Sequence, residues 1–148
     1  MATNLSSIIG VIEAWKPTYD SDVAIDCRKP SELKNRELDN GPVRMIFLPE
    51  DSVQEWIGLG TRVYRWQILD RLFIKQVPLG EGVEWANEQM QAYIINYATY
   101  TEAGHGIYTG SVIEGVTFNP RYDISYPEGS DTNWFGVDCL ITIREHRA

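Results

Sequence analysis

The side chains that most often carry chemistry are few in this chain and are far apart. Its 148 residues include two histidines, His105 and His146, and two cysteines, Cys27 and Cys139. Neither HExxH nor the Cys and His spacing of a zinc site is present, so the sequence predicts no metal site. His105 stands between two glycines, as loop residues often do, and His146 belongs to a charged C-terminal stretch.

Other sequence signals of enzymatic chemistry are missing as well. The sequence contains neither GxxxxGK[ST] nor GxGxxG, the loops that hold phosphate groups, and it has no GxSxG nucleophile turn. IGLGTR has two glycines, but the sequence predicts no helix after it. The carboxylates are spread along the chain, so no acid–base pair is assigned. We therefore expect no catalytic residue and no cofactor, and we expect that the protein is not an enzyme.

The composition is that of a soluble globular protein. A length of 148 residues favours one domain spanning 1–148, and 43% hydrophobic with 23% charged residues is ordinary for such a domain. The net charge of -8 argues against binding of nucleic acid over the whole surface. Two cysteines make no disulfide framework, and we expect Cys139 to be a buried thiol. We find no secretory signal and no apolar run of about 18 residues, and we expect a reducing cytoplasm.

In the first half of the chain, hydrophobic spacing predicts a helix, a long loop and two strands. LSSIIGVIEAW has apolar residues at helical intervals, which predicts an amphipathic helix at about 5–16. Residues 17–42 are rich in proline and in both signs of charge and predict a surface loop, with VAIDC as a possible short strand. VRMIFLPE (43–50) predicts a buried strand. RVYRWQILDRLFIK (62–75) predicts one long strand, or two strands with a bend near Asp70.

The second half predicts the main helix followed by three strands. An apolar stripe at helical spacing marks the helix at 82–101, and we expect Gly104 to end it. We predict that the stripe packs on the sheet and is not a ligand platform; its residues are Ala86, Met90, Tyr93, Ile94 and Tyr97. Strands are predicted at 111–118, 121–127 and 134–144, the last two joined as a hairpin by EGSDTN. The expected fold is α+β, a mostly antiparallel β-sheet packed against an N-terminal helix and one long central helix.

The final strand, in WFGVDCLITIREHRA, has the best-defined alternation of apolar and polar residues in the chain. Its apolar parity is expected to face the helices and consists of Phe135, Val137, Cys139, Ile141 and Ile143. The other parity, with Asp138, Thr142 and Arg144, is expected to face water in a monomer or a neighbouring subunit in an assembly. Leu140 is the one apolar residue on that side, which makes it a candidate subunit contact.

Charge is segregated along the chain. The interval between Lys75 and Arg121 holds no Lys or Arg but five glutamates, whereas the strand before it is basic. Surface ion pairs within one chain contribute only about 0–1 kcal/mol each. The same charges between copies would help to select the partner and its register. Both interpretations stay open, and the residues of the candidate subunit interface are Arg62, Arg65, Arg71, Lys75, Glu84, Glu88 and Leu140.

Four features together resemble the tail terminator, or tail-completion, proteins of long-tailed bacteriophages. They are the N-terminal helix LSSIIGVIEAW, the strand RVYRWQILDRLFIK before a GEG turn, the long helix that crosses the sheet, and the aromatic-led final strand WFGVDCLITIRE with its charged tail. These features cover most of the chain outside 17–42. The resemblance is one of pattern and size.

This resemblance implies a structural protein of the virion that is assembled in the host cytoplasm. Such proteins form a homo-oligomeric ring, usually of six subunits, which caps the completed tail tube and joins the tail to the head connector. The implied partners are other copies of the chain, the major tail tube protein and the head–tail connector proteins. DNA would pass through the lumen without sequence-specific binding, and no membrane is involved. We further expect the basic strand face and the acidic helix to meet across subunits, and the 17–42 loop to reach an adjacent ring.

Two alternatives remain open at this point. Another neck or head-completion connector protein would also form a ring. A small α+β enzyme or ligand-binding domain would instead use an aromatic pocket around Trp66, Tyr93 and Tyr97. A terminator is expected as a ring, or as a monomer that forms a ring only on tail tubes, whereas the ligand-binding domain is expected as a monomer or dimer.

Overall fold

A computed structural model describes residues 5–19, 25–28, 42–48, 53–58, 61–76, 82–126 and 132–147. This part of the chain contains two helices and six strands, so the fold is α+β, as predicted. In chain order the elements are α1 (Leu5–Ala14), β1 (Asp26–Arg28), β2 (Val43–Phe47), β3 (Val53–Gly58), β4 (Thr61–Gln76), α2 (Val83–Ala103), β5 (Ser111–Ser125) and β6 (Asn133–Arg147).

The six strands form one sheet in the order β1-β2-β4-β6-β5, and β3 also pairs with β4. β3 lies along the first half of β4 and β2 along the second half. The pairing of β1 with β2 is parallel, and the other four pairings are antiparallel. β4 and β6 pair from Arg62 to Gln76, so these two long strands form the centre of the sheet.

Both helices pack on one face of the sheet, which we call the helix face. Because successive side chains of a strand point to opposite faces, β4 and β6 contribute alternate residues to this core. The core joins Ile8 and Ile12 of α1, Ala86 and Met90 of α2, and Ile68 of β4. The predicted apolar parity of the last strand faces the helices and is fully buried: Phe135, Val137, Cys139, Ile141 and Ile143.

The opposite face of the sheet, which we call the open face, is covered by no helix of the described part of the chain. On the two central strands this face carries the direct pairs Arg65–Arg144, Gln67–Thr142, Leu69–Leu140, Arg71–Asp138 and Phe73–Gly136. A second, smaller apolar cluster lies at one end of this face. It consists of Met45, Phe73, Ile124 and Trp134.

The two helices end within van der Waals reach of each other. Ala103 is the last residue of α2, and the N–H of Gly104 donates to the carbonyl of Tyr100 at 2.8 Å, which confirms the predicted end of the helix. A Cβ at Gly104 would lie 2.9 Å from the ring of Trp15, the residue that follows α1. Gly104 therefore permits the close approach of the two helix ends.

The structure decides between the two alternatives for 62–75 and corrects two other details of the predicted strands. β4 is one strand of 16 residues, and Asp70 lies in it without a bend. The predicted break between 118 and 121 is wrong, because β5 runs unbroken through Pro120. β5 is an edge strand and needs no ladder N–H at Pro120 on its outer side, which is where proline is tolerated in a sheet. β3 was not predicted.

Part of the sequence prediction lies outside the described residues. The long loop was predicted at 17–42, and residues 20–24 and 29–41 of it are not described. Its described part contains β1, which overlaps the possible strand VAIDC at Asp26 and Cys27 and continues to Arg28. Most of the predicted turns at 78–82 and 128–133 also lies outside.

Candidate subunit interface

The structure divides the basic residues of β4 between the two faces of the sheet. Arg65 and Arg71 lie on the open face, whereas Arg62 has the parity of Tyr64, which packs against the helix-side core. The β4–β6 register shifts between Phe73 and Lys75, and Lys75 Nζ lies 5.3 Å from the ring centroid of Trp85 on α2. The prediction of a single basic strand face is therefore wrong, because a register irregularity reverses the side on which Lys75 lies.

Two arginines share one carboxylate at one end of the open face. Arg65 and Arg144 lie directly opposite each other on β4 and β6, an arrangement of like charges that is unfavourable by itself. Glu114 of β5 lies 3.0 Å (Oε2) from Arg65 Nη2 and 3.7 Å (Oε1) from Arg144 Nε. Glu114 is the extra residue in a register shift between Ile113 and Gly115, so a bulge of the edge strand positions it. We call these three residues the first arginine cluster.

A second arginine cluster lies farther along the same face. Arg71 donates to both oxygens of Asp138, the residue directly opposite on β6, at 2.6 and 3.0 Å. Arg121 of β5 donates to the same carboxylate at 3.3 Å and also to the exposed Asp123. Asp138 is only 9% exposed, so the expectation that it faces water is wrong: its carboxylate is shared by two arginines of its own chain.

The polar pair Gln67–Thr142 and an apolar pair separate the two clusters, and the apolar pair is the one next to the second cluster. Leu69 and Leu140 are direct partners across β4 and β6; Leu69 is buried and Leu140 is half-buried. In the described ion pairs, Arg65 and Arg144 share Glu114, and Arg71 and Arg121 face Asp138 and the solvated Asp123. Among the described side chains, the first cluster thus has a surplus of one positive charge, whereas the second is balanced and one of its two carboxylates, Asp123, is exposed.

A groove of about 590 Å³ opens beside the second arginine cluster. Its apolar wall belongs to the small cluster at the end of the open face, and its polar rim carries Arg71 and Arg121. The lining residues are Met45, Phe47, Arg71, Phe73, Arg121, Asp123, Ile124, Ser125 and Tyr126.

The outward side of α2 has the opposite charge. Ala86, Met90, Tyr93 and Tyr97 are buried, which confirms that the apolar stripe packs on the sheet. The side of the helix turned away from them is exposed and contains no basic residue, and Ile95 in its middle is 61% exposed. The residues of this outward stripe are Glu84, Glu88, Gln91, Ile95 and Glu102.

On the helix face, a buried ionic network holds α1 to the sheet. Arg44 of β2 and Asp70 of β4 form a salt bridge, and both are at most 1% exposed. Arg44 also donates to the carbonyls of Ile12 and Trp15 at the end of α1, at 3.1 and 2.8 Å. Burial alone would lower the pKa of Arg44, but the Asp70 carboxylate outweighs burial and raises this pKa above its ordinary value. Arg44 therefore caps the C-terminal end of α1 as a permanent cation.

Tyr97 completes the network by donating to Asp70 Oδ2 at 2.7 Å. Burial, and then the nearby negative charge of Asp70, raise the pKa of Tyr97 well above 10.0. Sequence reasoning missed this network, although one signal was present. Arg44 interrupts an apolar run and Asp70 interrupts an apolar parity, and two opposite charges at predicted core positions indicate a buried pair.

The aromatic residues of the alternative ligand pocket are core residues. Tyr93 and Tyr97 are fully buried, and Trp66 is 6% exposed and donates its Nε1–H to Glu145 at 2.9 Å. All three side chains belong to the helix-face core. Cys139 is buried as predicted, and burial raises the pKa of its thiol well above 9.0.

Among the described residues, no group of three His, Cys, Asp or Glu side chains could hold a metal ion. No helix in the same part of the chain is both long enough and apolar enough to span a membrane. Comparison of the chain with protein-family models gives no match, and comparison with curated proteins gives none either.

Proposed function

We propose that this chain is the subunit of a phage tail-terminator ring, which caps the completed tail tube and joins the tail to the head connector. The sequence supports this through the pattern that resembles terminator proteins: the N-terminal helix, the aromatic strand, the long helix and the final strand. The described elements α1, β4, α2 and β6 correspond to these four segments.

The open face is the observation that carries the proposal. An antiparallel sheet can leave one face to water, and such a face is then normally polar throughout. Here an apolar pair, Leu69 and Leu140, lies between clusters rich in arginine. Protein interfaces combine an apolar centre with a polar rim, and arginine is enriched among the residues that contribute most to binding. The open face has this composition.

A fixed geometry within the subunit also suits a ring. A ring closes only when each contact repeats with the same rotation, so the surfaces that form the contact must keep a constant orientation. The Arg44–Asp70 salt bridge and the capped carbonyls of α1 tie the helix layer to the sheet. Subunits of this kind would act by binding and geometry, offering one side of the ring to the tail tube and the other to the connector.

The proposal is tested by assembly of the purified chain on tail tubes. We expect electron microscopy to show one ring at the end of tubes built from the major tail tube protein, and native mass spectrometry to give a single ring stoichiometry. A chain that stays monomeric or dimeric in the presence of tube ends would contradict the proposal. A ring that binds the head connector but not tube ends would replace it with a head-completion protein.

The groove beside the second arginine cluster supports one other candidate function, the binding of a small acidic ligand. Its volume of about 590 Å³ lies within the range of small-molecule sites, and two arginines stand at its rim. A ligand-binding domain would not need to assemble, so the same mass measurement separates the two candidates. An occupied groove in a monomer would favour ligand binding.

A further inference from the structure

We propose that the outward stripe of α2 in one copy docks on the open face of the next copy, with Ile95 on the Leu69–Leu140 pair and a glutamate at each arginine cluster. The proposal rests on the ring function and deepens it, because it names the two surfaces that join the subunits. Three properties of the described residues support it: their spacing, their charges and the sides of the subunit on which they lie.

The first surface has an apolar centre with an acid on each side. Glu88 and Glu102 each lie seven residues from Ile95, which is close to two helical turns. All three residues are exposed and point away from the sheet. At a rise of 1.5 Å per residue, the two carboxylates are about 21 Å apart along the helix axis, with Ile95 midway.

The second surface repeats this spacing with the opposite charge. Arg144 and Asp138, which mark the two arginine clusters on β6, are six residues apart. A strand rises about 3.3 Å per residue, so the clusters lie about 20 Å apart. Leu140 and its partner Leu69 lie between them. A helix laid along β6 would therefore place both glutamates at arginines and Ile95 near the two leucines.

Charge selects this pairing over the symmetrical alternatives. Open face against open face would bring arginine clusters together, and α2 against α2 would bring glutamates together. Like charges across an interface oppose association, whereas opposite charges favour it and fix its register. The helix-to-sheet contact is the arrangement that places glutamates beside arginines, with opposite net charge at the first cluster.

The position of the two surfaces makes the contact repeat. α2 covers the helix face, and the arginine clusters lie on the other side of the sheet. One copy can therefore use both surfaces at once, with one neighbour on each side. Such head-to-tail contacts give a ring when the rotation closes. The occupant of the open face is thus a second copy of this chain.

Two charge-reversed variants test the pairing. The helix variant carries Glu88→Lys and Glu102→Lys. The face variant carries Arg121→Glu and Arg144→Glu, one change in each cluster, so that Glu114 and Asp138 each keep one arginine. Each variant alone brings like charges together, and we expect at least about a tenfold rise in its dissociation constant for self-association, measured by analytical ultracentrifugation. Circular dichroism checks that both variants fold.

Mixing the two variants is the decisive step. The helix variant has a basic stripe and unchanged arginine clusters, and the face variant has an acidic stripe and acidic clusters, so each is expected to associate with the other in preference to itself. We expect an equimolar mixture to regain assembly, with an alternating composition by native mass spectrometry. Glu13→Lys on α1, the same change away from both surfaces, is expected to assemble like the unmodified chain. The inference is overturned if the mixture fails to assemble, if either variant assembles normally alone, or if the unmodified chain never self-associates.

A single substitution tests the apolar centre without a reversal of charge. Ile95→Asp is expected to weaken self-association by at least about tenfold, because it places a charge against Leu69 and Leu140. Val83→Asp is the control, since Val83 is an exposed apolar residue on the same helix but off the stripe. Equal effects of the two changes would overturn the inference. If rings form but do not bind tail tubes, only the proposed function is contradicted. If every variant still caps tail tubes, only this interface is contradicted.

Discussion

Asp70 and Arg71 are neighbours in the chain, yet they form salt bridges on opposite sides of the sheet. Asp70 meets Arg44 on the helix face, where both side chains are at most 1% exposed. Arg71 meets Asp138 on the open face, where the two side chains are 21% and 12% exposed. Since strand residues alternate between faces, one step along β4 changes the surroundings of the charge from a fully buried core to a partly exposed face.

An Arg–Asp ion pair therefore has different consequences for stability on the two faces of the sheet. The buried pair has no water to replace a missing partner, so removal of one member leaves an uncompensated charge in the core. The pair on the open face is partly exposed, and a second arginine, Arg121, also donates to the same carboxylate. We therefore assign the helix-face network to stability and the open-face clusters to association.

The largest difference between the faces should appear when one member of each pair is removed. Asp70→Ala leaves the Arg44 cation in the core without its carboxylate partner, and it is expected to lower the free energy of unfolding by about 3–5 kcal/mol. Arg71→Ala, the matched change on the open face, is expected to lower it by about 0–1 kcal/mol, because Asp138 keeps Arg121. Urea unfolding at neutral pH measures both values, and equal losses would remove the distinction between the two faces.

Gly136 is a position of the open face at which we expect a larger side chain to be destabilising. It lies on that face, yet a Cβ there would lie 2.0 Å from the backbone oxygen of Leu72. Gly136→Ala is expected to lower the free energy of unfolding by about 3 kcal/mol, since the neighbouring backbone must shift. At Gly115 of the adjacent strand a Cβ would meet nothing within 4 Å, so Gly115→Ala is the control, with an expected change within about 0.5 kcal/mol. Similar thermal midpoints for the two variants would contradict this.

Two buried tyrosines of the helix face, Tyr97 and Tyr93, differ in their hydrogen bonds. Tyr97 donates to the Asp70 carboxylate, whereas the hydroxyl of Tyr93 is buried without a hydrogen-bond partner among the described residues. Tyr97→Phe is expected to lower the free energy of unfolding by about 1–2 kcal/mol. Tyr93→Phe is expected to leave it unchanged or to raise it slightly. Denaturant unfolding of the two variants side by side gives the answer, and the reverse order would show that Tyr97 is not part of the network.

The smallest expected effect is a loss of stability at alkaline pH that comes from the helix face. Burial raises the pKa of Cys139 and of Tyr93 and Tyr97 above the ordinary 9.0 and 10.0. The unfolded chain therefore releases these protons first, so stability is complete below about pH 8 and falls as pH rises through 9 and 10. Between pH 7 and pH 9 we expect a loss of about 0.5 kcal/mol.

Cys139→Ala provides the check on this pH dependence. It removes the group that titrates first, and we expect the decline between pH 7 and pH 9 to become smaller, although the variant is less stable at every pH. The measurement is the free energy of unfolding in urea at a series of pH values. An unchanged slope would show that the thiol does not carry the effect.

Elements with a strong periodic pattern were predictable from the sequence. The stripe of α2 and the alternation of β6 were derived from the spacing of apolar residues, and the pairing of β5 with β6 from the turn residues EGSDTN; the structure confirms all three. Pro120 misled the prediction, because a proline normally interrupts a strand and only the position of β5 at the sheet edge makes it acceptable. Among the candidate interface residues, Arg65, Arg71 and Leu140 share the open face as the alternation implied.

By itself, the sequence determined the fold class, the helix and strand periods and the face of β6 that enters the core. These properties follow from the spacing of apolar residues along the chain, which can be read directly from the sequence. Only the tertiary structure decided which charges meet. Arg44 and Asp70 are brought together by the pairing of β2 with β4, and a one-residue register shift moves Lys75 away from Arg71. Contacts between distant residues depend on strand register, and a shift of one residue exchanges the two faces.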